Sequence, residues 1–414
     1  MRKKIILVVL DGGADRPIPA LEGKTPLMVA RTPWLDMLAD QGTCGLMNVL
    51  DPGIPPGSDT AQMVLLGYDP TDHYTGRGAL EAIGGGIDVD PGDLCFRANF
   101  ATVNKTDEGL IVVDRRAGRN IPEISEILDA ITGFTSPHEG IDTKLIHTTQ
   151  HRGALLLRGK NLSLNFADTD PHKVNAPLHR FIPREGDEGA RRVVDTIHAY
   201  QDYIFEKLHD HPVNQEREKN GRPPVNMVLF REPAFKPDLQ AFKRIHGMNG
   251  AFVCGNALIS GVCLAANLHP AMTVDDLDFK RKVDATFNAL EMHDFVFLHV
   301  KETDNTSHDH DVSMKVRLLE DIDASIMKPL MEANPKNLII AVTADHVTSS
   351  VLGEHCGDAV PVAIWCEGIR RDSVIEFNEA STSRGGLCVI QGKFLLQILK
   401  NMAGLMEKFH VVHC

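Results

Sequence analysis

The sequence predicts an α/β fold built on a doubly wound, mostly parallel sheet. Four short apolar runs have the length and hydrophobicity of parallel strands that are buried on both faces: IILVVL at 5–10, FVFLHV at 295–300, LIIAV at 338–342 and VPVAIW at 360–365. Loops that carry Asp or His follow the first three runs. Because ligands bind beyond the carboxyl ends of strands in open α/β sheets, we expect these loops to meet at one edge of the sheet.

The stretch 86–278 has a different character and predicts an inserted α+β domain. It combines strand-like runs with an amphipathic helical segment at 189–208 and a polar loop at 210–224. We therefore expect a discontinuous core domain made of 1–85 and 279–414. The insert would lie over the active edge of this core as a cap.

Charge and composition exclude several classes of protein. The 414 residues include 43 Lys and Arg against 56 Asp and Glu, a net charge of −13, whereas a nucleic-acid-binding protein would present a basic face. The first apolar run is too short for a signal peptide or a membrane span, and no run of roughly 18 apolar residues occurs elsewhere. The 8 Cys form no C-x-x-C pair, which favours a reducing compartment. We expect a cytoplasmic protein without nucleic-acid or membrane partners, and the sequence carries no signal for its oligomeric state.

Asp304 and His308 form the first candidate metal-binding pair. Their spacing places both side chains on one face of a helical turn, where a carboxylate and an imidazole can share a divalent ion. The surrounding TDNTSHDHD is rich in turn-forming residues, so a solvated polar loop is the alternative.

Further candidate ligands stand near the predicted strand ends. Asp11 closes the first strand, Asp345 and His346 follow the third, and His355 lies in the next loop. Each alone has an ordinary explanation as a turn, a helix cap or a loop residue. Together with the first pair they form a mixed oxygen and nitrogen set that suits Mn, Zn, Mg or Co. Two such ions, about 4 Å apart, clamp both oxygens of an in-line phosphoryl displacement.

Ser58 is the candidate nucleophile. It follows Pro-Pro-Gly and opens an apolar helical run at 61–66. A hydroxyl at a helix N-terminus lies in positive potential that also attracts phosphate, and contact with a metal would lower its pKa. The alternative is a structural N-cap serine, and Thr60 is the competing hydroxyl.

These motifs resemble the alkaline phosphatase superfamily and, more closely, the archaeal-type cofactor-independent (2,3-bisphosphoglycerate-independent) phosphoglycerate mutases. The resemblance rests on DGG at 11–13, GSD at 57–59, TDN at 303–305, ADH at 344–346 and PV at 361–362, in that order. It spans the whole chain and includes GRGALEAIGGG at 76–86 and DTDPHK at 168–173. It implies an alkaline-phosphatase-like core. The implied reaction interconverts 3-phosphoglycerate and 2-phosphoglycerate through a phosphoserine, without 2,3-bisphosphoglycerate.

The resemblance also implies roles for the candidate residues. Ser58 would take the phosphoryl group and the insert would grip the glycerate. Two divalent ions, usually manganese but also magnesium, cobalt or zinc, would be bound by two sets of ligands: Asp304, His308 and His355, and Asp11, Ser58, Asp345 and His346. Gly57 and Asp59 flank the serine where the long form of these mutases has Asn and Glu, which fits the archaeal-type branch better.

Basic residues of the insert are the physical candidates for contacts with a phosphoglycerate. Arg is suited to bidentate contact with carboxylates and phosphates. The candidates stand in short clusters: Arg116, Arg119, His151, Arg152, His172 and Lys173. For each of them a solvated surface charge is the alternative. Together they would give an acidic protein a place to bind a small anion.

Rival functions stay open at this point. A metal-dependent phosphatase on the same scaffold would let water attack the phosphoserine, whereas a mutase must exclude water and retain the glycerate. A phosphopentomutase-like phosphotransferase would use the same core on another substrate. A metal-binding scaffold without turnover is disfavoured by the presence of Ser58.

Overall fold

A computed structural model of the chain describes residues 3–168, 170, 172–273, 277–333 and 336–408. The chain forms two compact units, the first from Met1–Tyr74 with Leu239–Cys414 and the second from Thr75–Asp238. The second unit is therefore an insertion in the first, but its limits differ from the expected 86–278.

The difference in limits has a structural cause at each end. The helix Arg77–Gly84 packs on the strand Leu94–Thr106, so it belongs to the second unit. The strands Gly250–Val253 and His269–Met272 join the main sheet of the first unit. Which sheet a strand joins depends on contacts far away in the sequence, so local patterns did not reveal these limits.

The strands of the described residues are numbered along the chain: β1 Lys4–Leu10, β2 Thr43–Asn48, β3 Leu94–Thr106, β4 Gly109–Asp114, β5 Ile141–His147, β6 Arg152–Gly159, β7 Phe166–Ala167, β8 Ala176–Pro177, β9 Ile182–Pro183, β10 Met227–Phe235, β11 Gly250–Val253, β12 His269–Met272, β13 Phe295–Val300, β14 Leu338–Ala344, β15 Val347–Ser349, β16 Glu354–Cys356, β17 Val360–Cys366 and β18 Cys388–Gln391.

The α-helices are numbered in the same way: α1 Pro26–Val29, α2 Pro33–Gln41, α3 Ser58–Leu65, α4 Pro70–His73, α5 Arg77–Gly84, α6 Ile124–Ala130, α7 Glu188–Leu208, α8 Pro212–Lys219, α9 Phe242–His246, α10 Ala257–Ala265, α11 Phe279–Met292, α12 Glu302–His308, α13 Val312–Ile322, α14 Lys328–Glu332, α15 Glu379–Thr382 and α16 Leu395–Met402. Short 3₁₀ turns at Pro19–Leu21 and Gly392–Phe394 and a π turn at Asp323–Met327 complete the set. Within the described residues, none of the helices has both the length and the apolar character that a bilayer crossing requires.

The first unit is built on a sheet that, in the described part of the chain, has eight strands in the order β12-β11-β13-β1-β14-β17-β2-β18. The five strands from β12 to β14 run parallel, as do β2 and β18 with each other. The predicted α/β fold with a mostly parallel sheet is confirmed. One strand is a correction: β17, predicted to be parallel, runs antiparallel to both of its neighbours. The reason is that residues 345–359 form the β15–β16 hairpin, whereas a parallel return would need a crossover, usually a helix.

Strand β1 shows why the centre of this sheet is apolar on both faces. Ile6, Val8 and Leu10 pack into a core with side chains from α2, α11 and β13. Leu7 and Val9 point to the opposite face and are also completely buried. A parallel strand covered on both faces reads as a continuous apolar run, which is the pattern that predicted it.

The second unit contains the antiparallel sheet β5-β6-β3-β4-β8, with β10 also paired to β3. The predicted amphipathic helix is α7, which begins after Asp187, whose carboxylate accepts a hydrogen bond from the backbone N–H of Ala190 (2.8 Å). Val193, Ile197 and Ile204 of α7 are completely buried in the core of this unit. Burial of one face holds the helix on the sheet.

Candidate active site

The aligned carboxyl ends of three adjacent strands bring the predicted ligands together. Leu10 of β1 lies level with Val300 of β13 and Ala344 of β14 because the three strands run parallel and in register. Asp11 and Asp345 are the residues that follow two of these level positions. Their carboxylates therefore leave the sheet at the same height.

The first donor set consists of Asp11, Asp345 and His346, whose ligand atoms all lie within 4.8 Å of one another. His346 Nε2 is 3.3 Å from Asp11 Oδ1 and 3.4 Å from Asp345 Oδ2. The Asp345 carboxylate is fixed on both oxygens, since Oδ1 accepts the backbone N–H of Gly12 (2.9 Å) and Oδ2 accepts Nε2–H of Gln62 (2.6 Å). All three residues of the set are buried.

The second donor set is centred on Asp304. Its Oδ1 lies 3.3 Å from His308 Nε2 and 3.4 Å from His355 Nε2, and it accepts a hydrogen bond from Thr348 Oγ1 (2.9 Å). Asp304 and His308 lie on helix α12, as their spacing predicted. The atoms within 4.8 Å of one another are those of Asp304, His355 and His346, so His346 lies between the two sets.

The three histidines share one orientation. Each donates from Nδ1 to an oxygen: His308 to the carbonyl of Gly353 (2.7 Å), His355 to the carbonyl of Pro56 (2.8 Å) and His346 to the hydroxyl of Thr348 (2.9 Å). The Thr348 hydroxyl itself donates to Asp304, so it accepts from His346. With Nδ1–H engaged, Nε2 is the nitrogen of each ring that faces the cluster and can bind a metal ion. Metal-binding histidines are oriented in this way by a second hydrogen bond.

The charges of the cluster also fit divalent metal ions. Burial by itself would raise the pKa of Asp11, but Lys301, 3.1 Å away, and His299 hold it well below its ordinary value. Lys301 also contacts Asp304. Burial and the charge of Asp11 raise the pKa of Asp345. Both oxygens of Asp11 are buried, and nitrogen atoms of His346, Lys301 and His299 lie 3.1–3.3 Å from them. Three crowded carboxylates and three imidazole nitrogens are the donors that ions such as Mn²⁺ and Zn²⁺ accept.

Ser58 lies beside this cluster at the start of helix α3. Gly57 is the N-cap of α3, so the interpretation of Ser58 as an N-cap residue is wrong. The Ser58 hydroxyl therefore does not cap the helix. Its Oγ lies 3.3 Å from His346 Nε2. The competing hydroxyl of Thr60 instead donates to the carbonyl of Gly57 (3.0 Å). Asp59 is buried and accepts a hydrogen bond from Tyr74 (2.6 Å).

Sequence reasoning missed several residues that complete the cluster, namely Gln62, His299, Lys301 and Thr348. Helical spacing gave a signal for Gln62, because it lies one turn after Ser58 on α3 and therefore on the same face. The place of His299 and Lys301 at the end of the apolar run 295–300 gave a signal for them, because polar groups at a strand end can line a site. No sequence pattern distinguished Thr348.

The second unit contains a cluster of arginines, of which only part was predicted. Arg97 on β3 and Arg231 on β10 are directly opposite cross-strand neighbours, and neither was among the predicted residues. Like charges in such positions repel. Burial, followed by the charge of Arg97, lowers the pKa of Arg231 to about 10. Arg231 Nε is buried without a hydrogen-bond partner in the described part of the chain. The carboxylate of Glu232 pairs with Arg97 (3.1 Å) and lies 3.9 Å from Arg231 Nε, so one carboxylate neighbours both guanidinium groups.

Four of the predicted basic residues adjoin this pair. His151 and Arg152 lie at the start of β6, where Arg152 is the register partner of Asn99 on β3, and Arg116 and Arg119 are exposed. Burial, followed by the positive charges of Arg152, Arg116 and Arg119, lowers the pKa of His151 to about 3. The neighbouring arginines therefore act with burial to keep His151 neutral.

The other two predicted basic residues, His172 and Lys173, are exposed. His172 lies 3.8 Å from Asp170, which also forms a salt bridge with Arg115 (2.5 Å). Thr169 and Pro171 of the same segment lie outside the described residues. Asp170 thus joins this segment to Arg115, which stands next to Arg116 in the sequence.

Comparison with known proteins gives a consistent result. The family profile described as 2,3-bisphosphoglycerate-independent phosphoglycerate mutase matches residues 39–214. A protein of that name from Methanopyrus kandleri is 39% identical over 99% of this chain and 98% of its own length. One from Methanocaldococcus jannaschii is 39% identical over 98% of both.

Two solved structures are similar over nearly the whole chain. A protein from Pyrococcus horikoshii aligns with a TM-score of 0.83 and 31% identity, covering 99% of this chain and 100% of that one. A cofactor-independent phosphoglycerate mutase from Thermoplasma acidophilum aligns with a TM-score of 0.70 and 36% identity, covering 97% of this chain and 100% of that one.

Proposed function

Because this chain belongs to the 2,3-bisphosphoglycerate-independent phosphoglycerate mutase family, we propose that it interconverts 3-phosphoglycerate and 2-phosphoglycerate through a phosphoserine at Ser58. The observation that carries the proposal is the position of the Ser58 hydroxyl, which opens a helix beside two metal-binding donor sets. A role in glycolysis and gluconeogenesis assigns the enzyme, in this proposal, to the cytoplasm.

Two divalent ions, with Mn²⁺ as the native metal, are part of the proposal. One would be held by Asp11, Asp345, His346 and Ser58, and the other by Asp304, His308 and His355. When bound, such ions lower the pKa of a coordinated hydroxyl and offset the charge on transferring phosphoryl oxygens. The mixed carboxylate and imidazole donors support manganese over calcium, which prefers oxygen ligands alone.

The proposed chemistry of the chain begins with Ser58. Its Oγ attacks phosphorus, the new O–P bond forms, and the bond to one glycerate hydroxyl breaks. Return of the phosphoryl group to the other hydroxyl of the same glycerate restores Ser58 and completes the isomerisation. The N-terminus of α3 provides positive potential at the phosphoryl group, and the ammonium of Lys301 adds a full charge.

The second unit is proposed to hold the glycerate carboxylate and to keep water from the phosphoserine. The opposed guanidinium groups of Arg97 and Arg231, with Arg152 beside them, support this role because they concentrate positive charge, and Arg231 Nε has no hydrogen-bond partner within the described residues. The exposed Arg116 and Arg119 and the segment with His172 and Lys173 would add contacts. A phosphatase has no need of a carboxylate site, so this cluster favours the mutase over hydrolysis of the phosphoserine.

The deciding experiment is incubation of the Mn²⁺-loaded protein with 3-phosphoglycerate and no bisphosphorylated compound. We expect 2-phosphoglycerate to accumulate to equilibrium with little free phosphate. Release of phosphate without isomerisation would support the phosphatase instead. Turnover of phosphopentoses with a higher kcat/KM than that of phosphoglycerates would support the phosphopentomutase-like alternative. The S58A variant, carried through the same assay, controls for contaminating enzymes.

A further inference from the structure

Three buried side chains form a row across the carboxyl ends of three neighbouring strands. Cys254 follows β11, His299 lies near the end of β13, and Asp11 follows β1. His299 Nδ1 lies 3.7 Å from Cys254 Sγ, and His299 Nε2 lies 3.1 Å from Asp11 Oδ2. The exposed fractions of these residues are 1%, 1% and 0%.

The facing atoms of His299 and Asp11 are both completely buried. Asp11 Oδ2 has two nitrogen atoms at 3.1 Å, His299 Nε2 and Lys301 Nζ. Because an unpaired polar group is costly when buried, native folds give such groups a partner. A ring N–H and a carboxylate oxygen 3.1 Å apart complement each other.

The imidazole ring of His299 is also held from its other side. The Cys254 sulfur contacts Nδ1 and lies 3.7 Å from the carbonyl oxygen of Asn256. Asn256 in turn is the N-cap of α10, where its side chain accepts the backbone N–H of Ile259 (3.3 Å). The turn between β11 and α10 therefore fixes the ring with Nε2 towards Asp11.

We infer that His299 is a positioning residue, which donates from Nε2 to Asp11 Oδ2 and thereby turns Oδ1 towards His346 and the metal of the first donor set. Lys301 Nζ also lies 3.1 Å from Asp11 Oδ2, but its hydrogen bond goes to Asp304 Oδ2, so it is His299 that is directed at Asp11 alone. A hydrogen bond to the second oxygen of a ligating carboxylate fixes its orientation and strengthens binding. The inference rests on the proposed function, since it concerns the metal that Asp11 would hold.

The test is calorimetric titration of the metal-free full-length protein with Mn²⁺. We expect H299L to weaken one of the two Mn²⁺ sites by about 10–100-fold, the usual effect of losing such a partner. H299Q places an amide N–H near the position of Nε2 and should restore most of the affinity. C254A removes the sulfur that contacts Nδ1 of His299. It should weaken Mn²⁺ binding at the same site, but to a smaller extent than H299L does.

H246L is the matched control, because His246 is a buried histidine of the same unit that binds the carbonyl of Leu66 (3.0 Å) away from the cluster. It should leave Mn²⁺ affinity unchanged. Wild-type Mn²⁺ affinity in both H299L and C254A would overturn the inference. A loss of Mn²⁺ affinity in H246L equal to that in H299L would also overturn it. If H299L does not fold, the Mn²⁺ affinities of C254A and H299Q test the inference instead.

A D11N variant separates this inference from the function on which it rests. If the wild type binds no Mn²⁺, the proposed metal site itself fails. If D11N loses one site while H299L and C254A keep it, only the positioning role of His299 is wrong.

Discussion

Ser58 Oγ and His346 Nε2 lie 3.3 Å apart, and through this contact the start of helix α3 meets the turn that follows β14. His346 is also the one described residue that belongs to both groups of closely spaced donor atoms. The contact therefore links the proposed nucleophile to the residue that the two proposed donor sets share.

Replacement of Ser58 by Ala should reduce mutase activity on the order of 10⁴-fold or more, as for other enzymes that lose a nucleophile. Intact mass measurement of the wild type incubated with 3-phosphoglycerate should show one added phosphoryl group, and the variant should show none. T60A is the matched control, because the Thr60 hydroxyl is engaged with the Gly57 carbonyl. Full activity in S58A would remove Ser58 from the mechanism.

Replacement of Gly12 by Ala should abolish metal binding. Gly12 has φ +60°, and a Cβ built there would lie 2.5 Å from Thr348 Oγ1 and 2.9 Å from Asp304 Oδ1. The clash would displace Asp304 from its histidines. Gly23 has a similar φ of +78° with open space around it, so G23A carries only the backbone strain, about 1–2 kcal/mol. Equal Mn²⁺ affinity in the two variants, measured by calorimetry, would contradict the steric argument.

Removal of metal should silence the enzyme and lower its stability. After treatment with a chelator and dialysis, we expect no turnover of 3-phosphoglycerate, and added Mn²⁺ should restore it. An ion present at 100 times its dissociation constant stabilises the folded chain by about 2.7 kcal/mol, so the thermal midpoint should rise with Mn²⁺ concentration. Unchanged turnover in the dialysed protein would be incompatible with the proposed donor sets.

Arg152 and Arg231 should affect substrate binding more than the chemical step. Loss of a hydrogen bond to a charged group costs about 1.5–3 kcal/mol, so R152A and R231A should each raise KM for 3-phosphoglycerate by roughly 10–100-fold. R191A is the control, because Arg191 is an exposed residue of α7 paired with Glu188 (2.8 Å). Unchanged KM in both cluster variants would exclude this cluster as the carboxylate site.

His151 should make the protein sensitive to mild acid. Its pKa of about 3 in the folded chain lies below the ordinary 6.5, so below pH 6.5 the unfolded chain binds a proton that the folded chain excludes. Stability is therefore complete above pH 6.5 and is lost as the pH falls towards 3. Between pH 7 and pH 5 the loss should be about 2 kcal/mol.

Urea unfolding of the wild type and H151Q at these two pH values tests the sign. The variant should lose less stability on acidification, while replacement of the exposed His172 by Gln should leave the wild-type difference in place. An equal pH dependence in H151Q and the wild type would mean that His151 is not held neutral by its surroundings.

The fold and half of the site could be predicted because they depend on local patterns. Continuous apolar runs predict strands that are buried on both faces. An Asp or His directly after such a run predicts a polar group at the end of the strand. Asp11 and Asp345 were found in this way. The spacing of Asp304 and His308 correctly predicted their shared helix face.

The sequence by itself determined four central strands of the main sheet, the helix that begins at Ser58 and polar groups at the strand ends, because burial and helical periodicity are visible in neighbouring residues. Only the tertiary structure decided the direction of β17, the limits of the inserted unit and the pairing of Arg97 with Arg231. It also decided that Lys301 and His299 face Asp11. These features depend on which distant segments pair, and the free energy of such pairing comes from contacts that no local window contains.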